Sequence, residues 1–297
     1  MEILERVQIK NLWGEVDIDW QLDPKVNIFI GINGSGKTTL LRIIYSVFQN
    51  NEKSGEYDKA TLFFSNNLVI SEPHSNERNE QATVNMVKIS TFDKPFEQSQ
   101  QFITELDVLL EQLIDDFKGY QLKLKNLETE ETSKLDSKIK ALSSQESANF
   151  EELQELKAAL HQKEIKLEEI YQQKNQFFSE LNTLFSETHK VIDFDKNNSI
   201  IFRKDGKTIT PYCLSAGEKQ ILIVLLTVVL QENQACVFLL DEPELSLHLA
   251  WQLKLIDVIQ RLTENCQLII ATHAPGILNK GWRDKITKME DIISKSK

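Results

Sequence analysis

Alternating hydrophobic and polar positions predict antiparallel strands in three parts of the chain. Residues 6–22 alternate in this way and predict two half-exposed strands joined by a turn at Trp13-Gly14. Residues 60–92 contain several short β-rich runs separated by polar stretches, and these runs predict an antiparallel lobe. Residues 199–210 predict two further short strands around an Asp-Gly dipeptide, which is typical of hairpin turns.

A heptad pattern occupies the middle of the chain. From Ile103 to Leu127, apolar residues recur at alternating three- and four-residue steps, which is the spacing of a coiled-coil seam. The positions predicted for a second seam are Leu153, Leu156, Leu160, Leu167, Ile170, Phe177, Leu181 and Leu184, with Lys163 and Lys174 in two core positions. The serine-rich stretch 143–147 would reverse the chain. Two arms of about 40 residues, rising about 1.5 Å per residue, would form an antiparallel hairpin about 60 Å long.

Three strongly apolar runs predict buried strands of a parallel sheet. They occupy residues 25–31, 235–240 and 267–272, and a helix from Ala250 to Thr263 separates the last two. Buried strands that alternate with helices are typical of a parallel α/β sheet, in which ligands bind at the carboxyl ends of the strands. We expect the second of these strands to lie directly beside the first.

Composition and charge exclude several classes of protein. The 297 residues are 41% hydrophobic and carry a formal net charge of −11, so the chain has enough apolar residues for a large core and no basic coat for nucleic acid. Cys213, Cys236 and Cys266 have no CxxC spacing, which argues against a zinc hook, a redox pair or a disulfide framework. The first residues lack a signal peptide, and the longest apolar run, residues 221–230, is half a membrane span. These features predict a soluble cytoplasmic protein with no membrane contact.

The glycine-rich segment after the first buried strand carries the main chemical signal. Residues 31–38, GINGSGKT, fit G-x-x-x-x-G-K-[ST] between a strand and a helix. Backbone amides freed by the glycines would bind phosphates, Lys37 would supply a positive charge, and Thr38 would bind Mg²⁺. The candidate nucleotide-binding residues are Asn33, Gly34, Ser35, Gly36, Lys37, Thr38 and Thr39. The alternative interpretation is an ordinary glycine-rich turn.

Polar residues also follow the other two buried strands. Asp241 and Glu242 come after residues 235–240, where Asp241 would hold Mg²⁺ through water and Glu242 would polarise an attacking water. The alternative is a solvated acidic turn. His273 follows the third strand and is a candidate γ-phosphate sensor, although histidines at strand ends are more often structural. His248 would either belong to the site or lie at a helix start.

The segment 214–220, LSAGEKQ, allows two interpretations. Ser215 and Glu218 have the spacing of a capping box just before an apolar helix. The same seven residues would also form half of a nucleotide site. The choice between these interpretations decides whether the chain needs a second copy to work.

Four motifs in order resemble those of ABC-type ATPases: GINGSGKTT, LSAGEKQ, LLDEPELSLH and ATHAP. The resemblance is to the branch of SMC, RecF, OLD and PtuA-like proteins, and it is strongest to the OLD-like and PtuA-like ATPases of bacterial anti-phage defence. It implies an α/β P-loop NTPase fold of ABC type, with a parallel core sheet, helices and an antiparallel β lobe, split by the coiled-coil hairpin. The implied domains are residues 1–97 with Walker A, 98–190 as the hairpin, and 191–297 with the signature, Walker B and switch histidine.

The resemblance also implies the chemistry of the site, with ATP and Mg²⁺ as cofactors. The implied residues are Lys37, Glu242 and His273 in catalysis, Thr38 and Asp241 for Mg²⁺, and Ser215, Gly217 and Glu218 for the ATP of a neighbouring subunit. The chain would therefore form a homodimer or a higher oligomer around ATP. PtuA-like relatives further imply a partner effector such as an HNH-type nuclease. Unlike OLD proteins, these 297 residues include no TOPRIM nuclease.

Two parts of the implied site stay unassigned, and three other functions stay open. The Q-loop glutamine is not placed among Gln98, Gln100 and Gln101, and the adenine-contacting residue is not identified. The alternatives are a RecF-type or SMC-type ATPase that clamps DNA, a transporter's nucleotide-binding subunit, and a nucleotide-gated scaffold. Residues 98–190 contain 18 acidic and 11 basic side chains, a balance of −7, so the hairpin would bind DNA poorly and would be a protein-docking arm or a spacer.

Overall fold

The computed structural model describes residues 2–50, 55–73, 84–90, 104–143, 150–274, 276–277 and 281–296. The strands are β1 (Leu4–Leu12), β2 (Val16–Gln21), β3 (Val26–Ile30), β4 (Lys59–Phe64), β5 (Val69–Glu72), β6 (Asn85–Ser90), β7 (Val191–Phe194), β8 (Ile200–Lys204), β9 (Lys207–Ile209), β10 (Cys236–Asp241), β11 (Cys266–Thr272), β12 (Ile286–Lys288) and β13 (Ile293–Lys295). The α-helices are α1 (Lys37–Gln49), α2 (Glu105–Ser143), α3 (Phe150–Phe185), α4 (Ala216–Val229), α5 (Leu249–Gln252), α6 (Leu255–Leu262) and α7 (Met289–Ile292).

The core sheet is parallel, with the strand order β12-β3-β11-β10-β6. The expectation that β10 lies directly beside β3 is wrong, because β11 lies between them. Both β10 and β11 are buried along their whole length, so their apolar patterns carry no information about which one is the neighbour of β3. The order matters for the site, since the loop after β11 leaves the sheet between the glycine-rich loop and the carboxylates.

The strands predicted to be antiparallel pair as predicted, except β6. β1 and β2 form the expected hairpin within a sheet of order β13-β2-β1-β4-β5, and β8 and β9 flank the expected Asp-Gly turn in a sheet of order β7-β8-β9. The prediction that the whole of residues 60–92 forms an antiparallel lobe is wrong, because β6 pairs in parallel with β10. Strand direction depends on the partner strand, and a short apolar run does not specify its partner.

The long helices α2 and α3 form the predicted hairpin, with 39 and 36 residues. At its base, the Phe117 and Phe177 rings lie 5.5 Å apart within the core of the sheet domain. Farther out the predicted seam is wrong, since Leu153 and Leu160 are about half exposed while Ala159 is buried. Ion pairs join the two helices in this stretch, such as that of Lys163 with Asp136. The predicted reversal lies outside the described residues after Ser143.

The single helix predicted from Ala250 to Thr263 is instead two helices, α5 and α6. The Trp251 ring stacks on Phe185 at the base of the hairpin, with ring centroids 5.6 Å apart. The apolar residues of α6 face the core beside α3 and α4. A short turn at residues 253–254 therefore lets each helix bury its own apolar face.

Candidate functional site

The glycine-rich loop joins β3 to α1 at the carboxyl edge of the parallel sheet. Gly34 and Gly36 have φ angles of 83° and 95°, a conformation that side chains disfavour. A Cβ on Gly36 would also lie 2.5 Å from the Trp13 ring. Lys37 begins α1, is 6% exposed, and donates from Nζ to the Gly31 carbonyl oxygen at 2.9 Å. The glycine-rich loop thus surrounds the buried Lys37 ammonium group, an arrangement that suits the binding of phosphate.

The residues expected to bind Mg²⁺ lie next to each other. Thr38 Oγ1 donates to Asp241 Oδ1 at 3.1 Å, across the space between α1 and the end of β10. Mg²⁺ binds oxygen at about 2.0–2.1 Å and usually keeps several of its waters, so an ion on the Thr38 hydroxyl would hold a water within reach of the Asp241 carboxylate, as expected for a contact through water. Burial raises the pKa of Asp241 above its ordinary value, and a bound cation would favour the ionised carboxylate there.

Three residues expected to act in catalysis also meet. Glu242 lies 3.6 Å from Lys37 Nζ through Oε1 and 2.6 Å from His273 Nδ1 through Oε2. Its backbone has a φ of 48°, and its amide donates to the Ala271 carbonyl oxygen at 2.8 Å. Left-handed backbone in a non-glycine residue costs about 1–2 kcal/mol and is common at functional sites. The turn after β10 therefore aims a buried carboxylate at both a cation and an imidazole.

A cavity of about 420 Å³ opens over this cluster. Its lining residues are Trp13, Asn33, Gly34, Gly36, Lys37, Thr38, Thr39, Glu242, Leu245 and His273. Ser35 lines a neighbouring cavity instead, beside Met289 and Ile293. Trp13 and Leu245 were not predicted. The sequence did contain a signal, a tryptophan in the predicted turn between two strands, but it was interpreted only as part of that turn.

The segment 214–220 forms the predicted capping box at the start of α4. Glu218 N donates to Ser215 Oγ at 3.3 Å, and Ser215 N donates to Glu218 Oε2 at 2.9 Å. Glu218 is buried, which by itself raises its pKa, but hydrogen bonds from Lys190 and Ser215 outweigh burial and lower it. Lys219 pairs with Asp107 at the start of α2, at 2.6 Å. The start of α4 is thus bonded to both ends of the hairpin.

This segment lies apart from the cavity, since the described residues that line the cavity include none from 214–220. Ser215 is exposed, whereas Glu218 is committed to bonds within its own subunit. The expectation that Ser215, Gly217 and Glu218 contact the nucleotide of a neighbouring subunit stays a prediction. His248 lies at the start of α5, 3.5 Å from Glu187 and packed against Trp251, and it does not line the cavity.

Gly217→Ala is expected to destabilise the protein by about 1–3 kcal/mol, the usual cost of overpacking. A Cβ there would lie 2.3 Å from the Ser246 carbonyl oxygen, a backbone atom that cannot move aside alone. Alanine normally stabilises a helix by about 1 kcal/mol relative to glycine, so the expected sign is opposite to helix propensity. The measurement is the free energy of unfolding in urea, followed by circular dichroism.

Gly119 offers the matched control, because a Cβ at this position of α2 meets nothing within 4 Å. Gly119→Ala should leave the protein as stable or make it more stable by about 0.5–1 kcal/mol. If both alanine variants gain stability, the close packing of α4 on the segment around Ser246 is wrong.

The fold and the site together define a P-loop protein with the fold of an SMC head domain. The chain is similar to the Smc head domain with an extended coiled coil from Pyrococcus furiosus, bound to the C-terminal domain of ScpA, at 14% identity and a TM-score of 0.51, over 97% of this chain and 93% of that one. It is also similar to an SmcHead bound to the C-winged helix domain of ScpA, at 11% identity and a TM-score of 0.51, over 96% and 93%.

A family model described as "AAA domain, putative AbiEii toxin, Type IV TA system" matches residues 26–279, and the chain belongs to this family. No curated protein matches the chain. Among the described residues, no helix is both long enough and apolar enough to cross a membrane.

Proposed function

We propose that this chain hydrolyses ATP, closes on a second copy of itself around the nucleotide, and controls a partner protein in bacterial anti-phage defence. The observation that carries the proposal is the meeting of two groups at one sheet edge. One is the pair Thr38 and Asp241, and the other is Glu242 between Lys37 and His273. An ordinary glycine-rich turn or a solvated acidic turn would not bury these charges against each other.

Each residue has a distinct part in the proposed hydrolysis. The amides of the glycine-rich loop and Lys37 bind the phosphates, and Thr38 with Asp241 would hold Mg²⁺, which would neutralise phosphate charge. Glu242 accepts a proton from the attacking water, and His273 holds Glu242 in place and donates toward the phosphate. Trp13 offers its ring to the nucleotide base, because the ring lies against Gly36 at the cavity wall.

Closure on a second copy is supported by an exposed helix start and by exposed apolar side chains at the cavity. The signature serine, Ser215, is exposed at a helix start, where backbone amides and the helix dipole favour an anion. Ile32 beside the cavity and Leu245 at its wall are exposed apolar side chains. Apolar side chains grouped around a charged cavity are typical of a surface that another protein covers. A second copy would bring Ser215 over the nucleotide and cover these side chains.

The defence role and the partner are the finer part of the proposal. The family description names a toxin of a toxin–antitoxin system, and both similar Smc heads are bound to a domain of ScpA. The motifs LSAGEKQ and DEPELSLH resemble those of OLD-like and PtuA-like proteins. We infer an effector such as an HNH-type nuclease, docked on the acidic hairpin, whose described ion pairs leave most of its carboxylates exposed.

The dimer is tested with Glu242→Gln, which should bind ATP and retain it. Light scattering should show the mass double from 34.3 kDa on addition of Mg-ATP. Adding Ser215→Arg should leave ATP binding intact and keep the protein monomeric, because a bulky cation then stands at the surface that closes. Ser137→Arg, at an exposed serine on α2, is the matched control and should dimerise. A Glu242→Gln protein that stays monomeric with saturating ATP would show that the closure mechanism is wrong.

The ATP-locked dimer also tests the partner. Used as bait in a lysate of the native host, it should retain a nuclease that the Ser215→Arg form does not retain. Strong stimulation of hydrolysis by DNA alone, with no nuclease recovered, would favour a DNA-clamping ATPase instead.

A further inference from the structure

Glu244 is a buried carboxylate that the proposed hydrolysis leaves unexplained. It lies two residues after Glu242, is 3% exposed, and does not line the nucleotide cavity within the described part of the chain. Burial, and beside it the carboxylate of Glu242, raises the pKa of Glu244 to about 7. An apolar residue of similar size would avoid this desolvation cost, so the carboxylate needs a reason to be there.

The contacts of Glu244 lead to the loop that carries His273. Thr272 Oγ1 donates a hydrogen bond to Glu244 Oε1, and the same hydroxyl accepts one from the Ala274 amide at 3.0 Å. Thr272 and Ala274 flank His273 on either side. One hydroxyl therefore connects the Glu244 carboxylate to the backbone both before and after the histidine.

The histidine is thereby fixed relative to Glu242. His273 Nδ1 lies 2.6 Å from Glu242 Oε2. One carboxylate oxygen of Glu242, one of Glu244 and one imidazole nitrogen of His273 all lie within 4.8 Å of one another. Glu242 and Glu244 belong to one short turn, in which the Leu247 amide donates to the Glu244 carbonyl oxygen at 2.8 Å. A single turn thus contacts the imidazole through one carboxylate and holds its backbone through the other.

We propose that Glu244 is a positioning residue for ATP hydrolysis, which acts through Thr272 to hold the His273 loop and so keeps the imidazole on Glu242. The proposal rests on the proposed hydrolysis of ATP. A placement that is loosened by about 1 Å costs on the order of 100-fold in rate without any loss of binding groups. Positioning therefore predicts a loss of kcat with little change in the affinity for ATP.

Matched substitutions separate the hydrogen bond from the volume of the side chain. Thr272→Val removes the hydroxyl at constant shape, whereas Thr272→Ser keeps it. Glu244→Leu removes the acceptor, whereas Glu244→Gln keeps an acceptor oxygen. Thr272→Val and Glu244→Leu should each lower kcat about 10- to 100-fold with the Kd for ATP unchanged, and the two conservative variants should stay within about threefold of the wild type.

The double variant Glu244→Leu/Thr272→Val distinguishes a chain of contacts from two separate effects. If both residues act through the same bond, the double variant should be no slower than the worse single variant. Losses of kcat that multiply, or a Thr272→Val enzyme as fast as the wild type, would overturn the proposal. Unfolding in urea shows which variants fold, and Glu244→Gln and Thr272→Ser keep the test available if the others do not.

A second measurement does not depend on hydrolysis. In the wild type, NMR should show a through-space (nuclear Overhauser) signal between the His273 imidazole and the Glu242 side chain, which lie 2.6 Å apart at Nδ1 and Oε2, assigned by its absence in His273→Gln. The signal should persist in Thr272→Ser and be lost in Thr272→Val. If the protein hydrolyses no ATP but its NMR signal depends on the Thr272 hydroxyl, the proposed function is wrong and the positioning contact is retained. A signal unchanged in Thr272→Val would overturn the positioning role.

Discussion

Replacing Lys37 by methionine is expected to weaken ATP binding by about 100-fold or more. Lys37 is the only lysine or arginine among the described residues that line the cavity. Its Nζ is held by the Gly31 and Ile32 carbonyl oxygens and by Glu242, so the ammonium already points to the site of the phosphates. A hydrogen bond to a charged group contributes about 1.5–3 kcal/mol, and two of them to phosphate oxygens account for the expected loss.

The binding measurement is a calorimetric titration with Mg-ATP, accompanied by urea unfolding to confirm the fold. Methionine keeps the apolar stem of the lysine, so the substitution removes the charge and little packing. Lys288→Met is the matched control, because Lys288 is an exposed lysine near the glycine-rich loop that pairs with Glu290 at 3.3 Å. The control should bind ATP as the wild type does. A Kd for Lys37→Met within threefold of the wild-type value would contradict the phosphate-binding role of this lysine.

The parts of the fold with strong local patterns were predictable from the sequence. The hairpin between β1 and β2, the strand, glycine-rich loop and helix of the P-loop, and the capping box at Ser215 each depend on neighbouring residues. The order of β10 and β11 and the parallel pairing of β6 depend on partners distant in sequence. Leu153 and Leu160 show the same limit, since they fall on the heptad spacing but the packing of one helix on the other decides which face is buried.

Some residues of the candidate site were likewise predictable from local patterns, whereas others were not. Thr38 comes at the end of the glycine-rich loop, and the other predicted residues, Asp241, Glu242 and His273, come at the ends of buried strands. Such positions converge at the carboxyl edge of a parallel sheet. Trp13 was missed because it comes from a different sheet and reaches the cavity only through the packing of the two sheets. Glu244 was missed because DEPE reads as an acidic turn, and only the structure shows that its second glutamate is buried against Thr272.

Glu242→Gln is expected to lower the rate of ATP hydrolysis by at least 100-fold and to leave the Kd for ATP within about threefold of the wild-type value. General base catalysis contributes about 10²- to 10⁴-fold, and an amide cannot accept the proton of the attacking water. Glutamine keeps the shape of the buried side chain and a hydrogen-bonding group for His273 Nδ1. The expected result is therefore the opposite of that for Lys37→Met, with binding retained and turnover lost.

Phosphate release measured under single-turnover conditions tests this expectation, with Glu290→Gln as the control at an exposed carboxylate beside the glycine-rich loop. Hydrolysis by Glu242→Gln at the wild-type rate would remove Glu242 as the base. Comparing both variants in cells also separates an ATPase from a nucleotide-gated scaffold. A scaffold needs only to bind ATP, so it would lose function with Lys37→Met and keep it with Glu242→Gln. A protein that must hydrolyse ATP to reset its partner would lose function with both, because the dimer that Glu242→Gln forms could not reopen.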